Sequence, residues 1–162
     1  MTQTVNFNEI SVHSSAEESP GFLLWRVSTL WRKTIETVLK PLGLTHPQFV
    51  ILATTGWLTR MGKRASQAEI GRQAALDPNT TSQILRGLQA KGLIERSHNI
   101  DERSKYPILT ATGVESLAKA MVAVESADTA FFASVDLKGS EMLQTLQILA
   151  RSESLKTERE SI

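Results

Sequence analysis

Residues 65–113 read "ASQAEIGRQAALDPNTTSQILRGLQAKGLIERSHNIDERSKYPILTATG", and this stretch decides the fold. Ser66 is followed three residues later by Glu69, which is the pattern of a capping box at the start of a helix. Asp77 precedes Pro78, so an N-cap residue is followed by one that is favoured in a first helical turn. The first half of the stretch therefore predicts two short helices, the second of which ends near Gly92.

Two short apolar segments follow, and a charged tip separates them. "LIERS" (93–97) and "YPIL" (106–109) contain β-branched or aromatic residues and predict a β-hairpin. Pro107 has no N–H to donate, so we expect its strand at an edge with the nitrogen facing outward. The tip carries Arg103 and Lys105, and such cations suit the focused negative potential of a narrow DNA minor groove.

The flanking segments predict further helices. Thr45 and Gln48 form another capping-box pattern, with Pro47 in the first turn, ahead of the apolar run "FVILATTGWL" (49–58). Earlier in the chain, after Pro20, a stripe with helical spacing comprises Leu24, Val27, Trp31, Ile35, Val38 and Leu42. After the hairpin, a second stripe comprises Val114, Leu117, Met121, Val124, Asp128, Phe131 and Val135, and a last helix from about Ser140 carries Leu143, Leu146 and Leu149.

Three short capped helices followed by a hairpin are the order of a winged helix-turn-helix. In that fold the third helix lies in the DNA major groove, and the hairpin reaches the minor groove or the backbone. The expected fold class is mainly α with a small β-hairpin, a winged helix-turn-helix head plus a helical dimerisation region. The expected boundaries are a flexible N-terminal arm at 1–19, helical dimerisation segments at 20–43 and 112–152, a DNA-binding head at 44–111 and a C-terminal tail at 153–162.

The helix after Asp77 has two chemically different faces. Its predicted inward residues are Thr81, Ile84, Leu85 and Leu88. Its predicted outward face comprises Asn79, Thr80, Ser82, Gln83 and Arg86. These side chains can lie against base edges or phosphates, Arg86 can bridge a guanine, and Gln83 can pair with an adenine. A solvated polar face is the alternative, but the basic hairpin that follows favours double-stranded DNA.

Charge is distributed unevenly along the chain. The 162 residues carry a formal net charge of +1, but residues 60–105 hold nine Lys or Arg and five Asp or Glu, a net +4, which leaves −3 for the rest. A basic middle between acidic flanks makes a polyanion the first partner to consider. A solvated basic face is the alternative.

The sequence lacks the residues that several classes of function require. The sequence has no Cys, which removes disulfides, thiol nucleophiles and thiolate metal sites. His13, His46 and His98 have no carboxylate at ligand spacing, so we expect no metal. No nucleophile with its base and no glycine-rich phosphate loop stands out, so we expect neither an enzyme nor a cofactor. The N-terminus lacks a signal-peptide pattern and no apolar run approaches the roughly 20 residues that span a bilayer, so we expect a cytoplasmic protein without a membrane partner.

The stretch 65–113 resembles the MarR family of bacterial transcription regulators, through "LxxKGLIER" (88–96), "DERSK" (101–105) and "LTxxG" (109–113). The weaker "THPQFVIL" (45–52) and the flanking helices extend the resemblance to most of residues 20–152. The resemblance implies that Arg103 enters the minor groove and that Asp101 helps to hold it. It also implies that Ser66 contacts a phosphate and that the DNA-facing positions are Thr80, Ser82 and Gln83.

Two positions depart from the family pattern. Gln83 stands where relatives often carry Arg, so the base preference there does not transfer. Pro107 stands where the wing strand usually has a hydrogen-bond donor, which puts the angle of the wing in question.

The long apolar stripes have few partners in the head and predict a homodimer on a pseudo-palindrome, with half-sites about 34 Å apart or a multiple of that. Packing of the stripes on one another within one chain is the alternative. Asp128 fits either a buried pair or a solvent edge. The resemblance also implies a small aromatic effector, for which aromatic side chains are candidate walls, although each also suits plain core: Phe22, Trp25, Trp31, Phe49 and Trp57.

The expected function is thus a sequence-specific regulator that binds double-stranded DNA, with a ligand-responsive homodimeric repressor as the expected form. The residues themselves do not distinguish a repressor from an activator. A winged helix that binds another protein without DNA is the alternative.

Overall fold

The structure is a computed structural model, and it describes residues 5–97, 106–135 and 141–152. Within these ranges, the single helical turn α1 (Phe7–Ile10) and the long helix α2 (Pro20–Leu39) precede the head. The head contains α3 (His46–Thr59), α4 (Gln67–Gln73), α5 (Pro78–Ala90), β1 (Ile94–Ser97) and β2 (Tyr106–Leu109). Two helices follow, α6 (Ala111–Phe131) and α7 (Glu141–Ser152). This order confirms a winged helix-turn-helix with additional helices.

The predicted helix starts of the head are confirmed. Thr45 and Ser66 each form a complete capping box, at α3 and α4. The Asp77 carboxylate accepts from the backbone N–H of Thr80 at 2.9 Å, and Pro78 is the first residue of α5. These caps satisfy backbone donors that the first helical turn leaves unpaired. Local sequence therefore fixes where each helix of the head begins.

The core lies where α2 ends and the head begins. The helix α5 packs against α3 and α4, and α3 also packs against α2 and β2. The largest fully buried apolar side chains are Ile35, Leu39, Ile51, Leu52, Ile70 and Leu88. Burying each such side chain stabilises the fold by about 1.5–3 kcal/mol, so this cluster holds the head together.

The hairpin has a register that accommodates its proline. Strands β1 and β2 are antiparallel, with Arg96 opposite Pro107. Just beyond the strands, Thr110 N donates to Leu93 O at 3.1 Å, and hydrogen-bonded pairs alternate along an antiparallel ladder. Pro107 therefore occupies a non-hydrogen-bonded position with its nitrogen facing away from β1, as expected. The tip with Asp101, Arg103 and Lys105 lies outside the described residues.

The "LTxxG" motif joins α6 to the head. The Thr110 hydroxyl donates to Gly92 O at 2.6 Å and accepts from Gly113 N at 3.0 Å. A Cβ at Gly113 would lie 1.9 Å from Leu93 O, a distance that no side chain tolerates. Glycine at this position allows the first turn of α6 to lie directly against the chain that enters β1.

The predicted stripe on α6 lies on a helix, but the prediction extends it too far. The helix ends at Phe131, so Val135 lies beyond it. In the single chain Val124 belongs to the core and Leu117 and Met121 pack against it, whereas Val114 is 56% exposed. The small residues Gly113, Ala120 and Ala127 complete the buried face.

Other apolar positions also stay exposed in the single chain. In α2, Leu24 and Val27 are exposed, whereas Ile35 is buried. The residues expected to form a flexible arm include the helical turn α1, and their flexibility stays a prediction. The chain divides into two compact units, 1–127 and 128–162, and Asp128 at the start of the second is half-buried. The helix α7 of the second unit exposes Leu143, Leu146, Ile148 and Leu149.

Candidate nucleic-acid interface

The helix α5 presents the two faces that its sequence predicts. Thr81 and Leu88 are fully buried, and Leu85 is nearly so. On the opposite side, the exposed side chains are Asn79, Gln83 and Arg86. Ile84 from the predicted inward set, and Thr80 and Ser82 from the predicted outward face, are half-buried. The exposed face offers two amides and a guanidinium, which are the groups that read base edges.

Both ends of α5 are held in place by other elements. Near its start, a Cβ at Gly71 of α4 would lie 2.7 Å from the Thr81 hydroxyl oxygen, so α4 crosses α5 very closely. After its last turn, Lys91 Nζ donates to Gly43 O and to Gln48 Oε1, each at 2.7 Å. The outward face of α5 therefore has a defined orientation relative to α3 and α4.

Two hydroxyls predicted to face DNA are already hydrogen-bonded within their caps. Ser66 Oγ donates to the Glu69 carboxylate at 2.7 Å, and Thr80 Oγ1 donates to the Asp77 carboxylate at 2.6 Å. The backbone N–H and then the hydroxyl of Ser66 lower the pKa of Glu69, and the hydroxyl and then the backbone N–H of Thr80 lower the pKa of Asp77. Each hydrogen bond favours the ionised carboxylate. These carboxylates are therefore charged at neutral pH, beside positions where the family resemblance implies DNA.

Sequence reasoning missed a group of cations between α3 and α4. The basic loop, residues 60–64, reads "RMGKR" and contains Arg60, Lys63 and Arg64, all exposed. The Arg60 guanidinium lies 3.6 Å from the Trp57 ring centroid, and it also donates to the Trp57 carbonyl. The Arg64 guanidinium lies 5.9 Å from the ring centroid of Tyr106 in β2. The sequence signal that could have identified this group is the presence of three cations within five residues.

The aromatic residues proposed as effector walls are not gathered in one place. A depression of about 200 Å³ is lined by Trp25, Ser28, Thr29, Trp31, Arg32 and His46. Of the five candidate wall residues, Trp25 and Trp31 border it, whereas Phe22 lies elsewhere on the exposed surface of α2. Phe49 is buried in the core, and Trp57 is exposed beneath Arg60. Phe49 and Trp57 are eight residues apart on α3, which is not a whole number of helical turns. Their side chains therefore point in different directions.

The depression has a polar rim as well as an aromatic wall. The Trp31 and His46 rings meet edge to face, with centroids 5.0 Å apart. Arg32 Nε lies 3.9 Å from Glu36 Oε1 in an exposed ion pair. An aromatic molecule with a negative charge would match these groups.

The described residues contain neither a metal-binding cluster nor a membrane-spanning helix. Over 5–97, 106–135 and 141–152, no group of three His, Asp or Glu side chains is placed to hold a metal ion. Within the same ranges, no helix combines the length and the apolarity that crossing a membrane requires.

Known proteins share both the sequence and the fold. The MarR family model matches residues 44–105. The uncharacterized HTH-type transcriptional regulator YdcH of Bacillus subtilis is 35% identical over 144 residues, covering 88% of this chain and 97% of that protein. The HTH-type transcriptional repressor Rv2887 of Mycobacterium tuberculosis is 33% identical over 115 residues, covering 70% of this chain and 80% of that protein.

Solved structures agree with this likeness. CouR from Rhodococcus jostii, bound to p-coumaroyl-CoA, superimposes with a TM-score of 0.74 at 24% identity over 85% of this chain and 96% of that one, which supports the fold. Rv2887 in complex with DNA superimposes with a TM-score of 0.61 at 30% identity over 79% of this chain and 97% of that one. From the matching head, the near full-length relative and the exposed polar face of α5, we conclude that this chain belongs to the MarR family of DNA-binding transcription regulators.

Proposed function

We propose that this protein is a homodimeric, ligand-responsive repressor that binds a pseudo-palindromic operator in double-stranded DNA. The observation that carries the proposal is the outward face of α5, where Asn79, Gln83 and Arg86 are exposed while Thr81 and Leu88 on the other side are buried. A helix held at both ends with such a face suits the major groove.

The wing supplies the second contact in this proposal. The segment that joins β1 to β2 contains Arg103 and Lys105, which would contact the minor groove, with Asp101 as support for Arg103. A cation in a narrow minor groove adds affinity with little base selectivity. The half-buried Ser82 and Thr80 complete the DNA-facing set, with Ser66 at the start of α4. For Ser66 and Thr80 to donate to phosphate, each hydroxyl would first leave its carboxylate partner.

Dimerisation is supported by apolar surface that one chain leaves exposed. On α2 these side chains are Phe22, Leu23, Leu24, Trp25, Val27 and Leu30. The helix α7 adds four aliphatic side chains of the same kind. Large apolar side chains exposed along a helix are typical of an interface, and α2 and α7 each carry a set of them. Two heads related by a two-fold axis would then reach half-sites about 34 Å apart.

Ligand response is supported by the depression beside Trp25, Trp31 and His46. Its aromatic wall and the nearby Arg32 guanidinium suit a small aromatic acid. Rv2887, the relative with 30% identity over 83% of this chain, has a solved structure in complex with salicylic acid. Salicylate is therefore the first probe.

The test measures DNA selectivity, assembly state and ligand response together. Genomic fragments selected by the immobilised protein should share an inverted repeat, and labelled repeat should bind far more tightly than a random duplex, with affinity that falls steeply as salt rises. Sedimentation should give a dimer, and salicylate should weaken binding to the repeat. A monomer, or binding equal on repeat and random duplex, would overturn the proposal. Absence of DNA binding combined with capture of a specific protein would support the interaction-module alternative.

A further inference from the structure

The basic loop between α3 and α4 contains a left-handed turn and is followed by a buried residue. Met61 and Gly62 both adopt left-handed backbone angles, with φ of 62° and 75°. Beyond the loop, Ala65 is only 3% exposed and anchors the chain in the core. The turn and the anchor together fix the path of the backbone between them, where Lys63 and Arg64 are exposed.

The loop lies between two parts of the DNA-binding head. Arg64 reaches Tyr106, which pairs with Ser97 at the end of the hairpin from which the tip continues. Two residues after Arg64 in the other direction, Ser66 caps the start of α4. Lys63 and Arg64 therefore lie close to β2 on one side and to the start of α4 on the other.

Two of the loop cations lie directly before α4. Arg60 at the other end of the loop lies over Trp57 and donates to its carbonyl, on the side of α3. Lys63 and Arg64 are both exposed, and Ser66 caps α4 two residues after Arg64. Their position beside the start of α4 makes Lys63 and Arg64 the pair that a phosphate at α4 would meet.

The chemistry at the start of α4 strengthens this assignment. The Ser66 hydroxyl donates to Glu69, and the low pKa of Glu69 keeps that carboxylate negative. A phosphate that approached Ser66 alone would meet a hydroxyl whose hydrogen is already used and a negative charge beside it. Cations on the preceding residues would offset that charge and attract the phosphate.

We propose that Lys63 and Arg64 form a phosphate contact that links the wing to the helix-turn-helix on duplex DNA. The ligand is the DNA backbone, so the contact adds affinity without base preference. This inference rests on the proposed DNA binding of the head, and it adds a contact outside α5, the wing tip and the α4 cap.

The experiment compares the parent with K63Q/R64Q on the random duplex and on the selected repeat. The slope of log affinity against log salt should become shallower by about 0.9 for each lost phosphate contact, or about 1.8 for each bound subunit. The ratio of affinities for repeat and random duplex should stay unchanged, since phosphates carry no sequence. K63R/R64K should restore the parental slope, because it keeps both charges.

The matched control K33Q/K119Q removes the same charge from exposed positions on α2 and α6. An equal loss of slope in this control would overturn the proposal, because net charge alone would explain the effect. A parental slope in K63Q/R64Q would also overturn it, while leaving the DNA-binding function intact. Thermal melting checks the fold, and the single variant Lys63→Gln supplies the same comparison if the double variant unfolds. If the parent itself binds no DNA, the proposed function and this contact both fail.

Discussion

The two faces of α5 differ in burial and in chemistry, although they belong to the same helix. The inward face, with Thr81, Leu85 and Leu88, makes the contacts that hold the head together. The outward face, with Gln83 and Arg86, contributes little to that packing. Neighbouring residues of α5 therefore lie either in the core or on the surface that we propose faces DNA. Mutations on the two faces should have effects that separate cleanly.

The largest effect is expected on the inward face. Leu88→Ala removes a fully buried side chain and leaves a cavity, so the free energy of unfolding should fall by about 2–5 kcal/mol. Urea denaturation followed by circular dichroism measures this change. Gln89→Ala, at the adjacent exposed position, should change stability by no more than about 0.5 kcal/mol. Similar losses in the two variants would contradict the separation of the faces.

An intermediate effect is expected on the outward face, in binding rather than in stability. Arg86→Ala and Gln83→Ala should each weaken operator binding by about 1–3 kcal/mol where the side chain makes a bidentate base contact. Each should relax preference at its own base pair and leave the urea midpoint near that of the parent. Competition against operators with single base-pair changes measures the preference. Uniform weakening on every sequence would assign these residues to phosphate instead.

The smallest effect is expected at the cap that precedes both faces. The hydroxyl and backbone N–H of Thr80 hold the pKa of Asp77 below its ordinary value of 3.8. Because this pKa is lowered, the ionised Asp77 cap stabilises the fold fully at pH values above 3.8. This stabilisation is lost as the pH falls through the lower pKa that Asp77 has in the folded protein. Asp77→Asn keeps a capping oxygen that does not titrate. Its stability should match the parent at pH 7 and fall less steeply in acid.

The measurement for this variant is urea unfolding at a series of pH values. Glu69 also has a lowered pKa and contributes its own acid dependence, so a residual slope should remain. Identical acid dependence in the variant and the parent would mean that the cap does not sense pH.

Features determined by neighbouring residues could be predicted from the sequence. The sequence predicts the caps at Thr45, Ser66 and Asp77, because a cap needs only a side chain and backbone donors within three residues. The hairpin and the outward nitrogen of Pro107 followed from strand propensity and a missing donor. The two faces of α5 followed from helical periodicity, although Ile84 is only half-buried.

Features determined by distant residues could not be predicted. The close approach of Gly113 to Leu93 joins residues 20 positions apart, and hydrophobic spacing does not indicate it. The depression depends on where the start of α3 meets α2, so the sequence alone does not indicate that His46 lies beside Trp31. The same limit hid Arg64 beside Tyr106, 42 positions apart in the chain.

The contact of Gly113 with Leu93 also has a mechanical consequence. Because no gap separates the first turn of α6 from the backbone entering β1, and Thr110 is tied to both Gly92 and Gly113, this corner behaves as a stiff joint. A twist or slide of α6 at that end would drag the root of the hairpin with it. The position of the first turn of α6 and the position of the chain that enters β1 are therefore coupled.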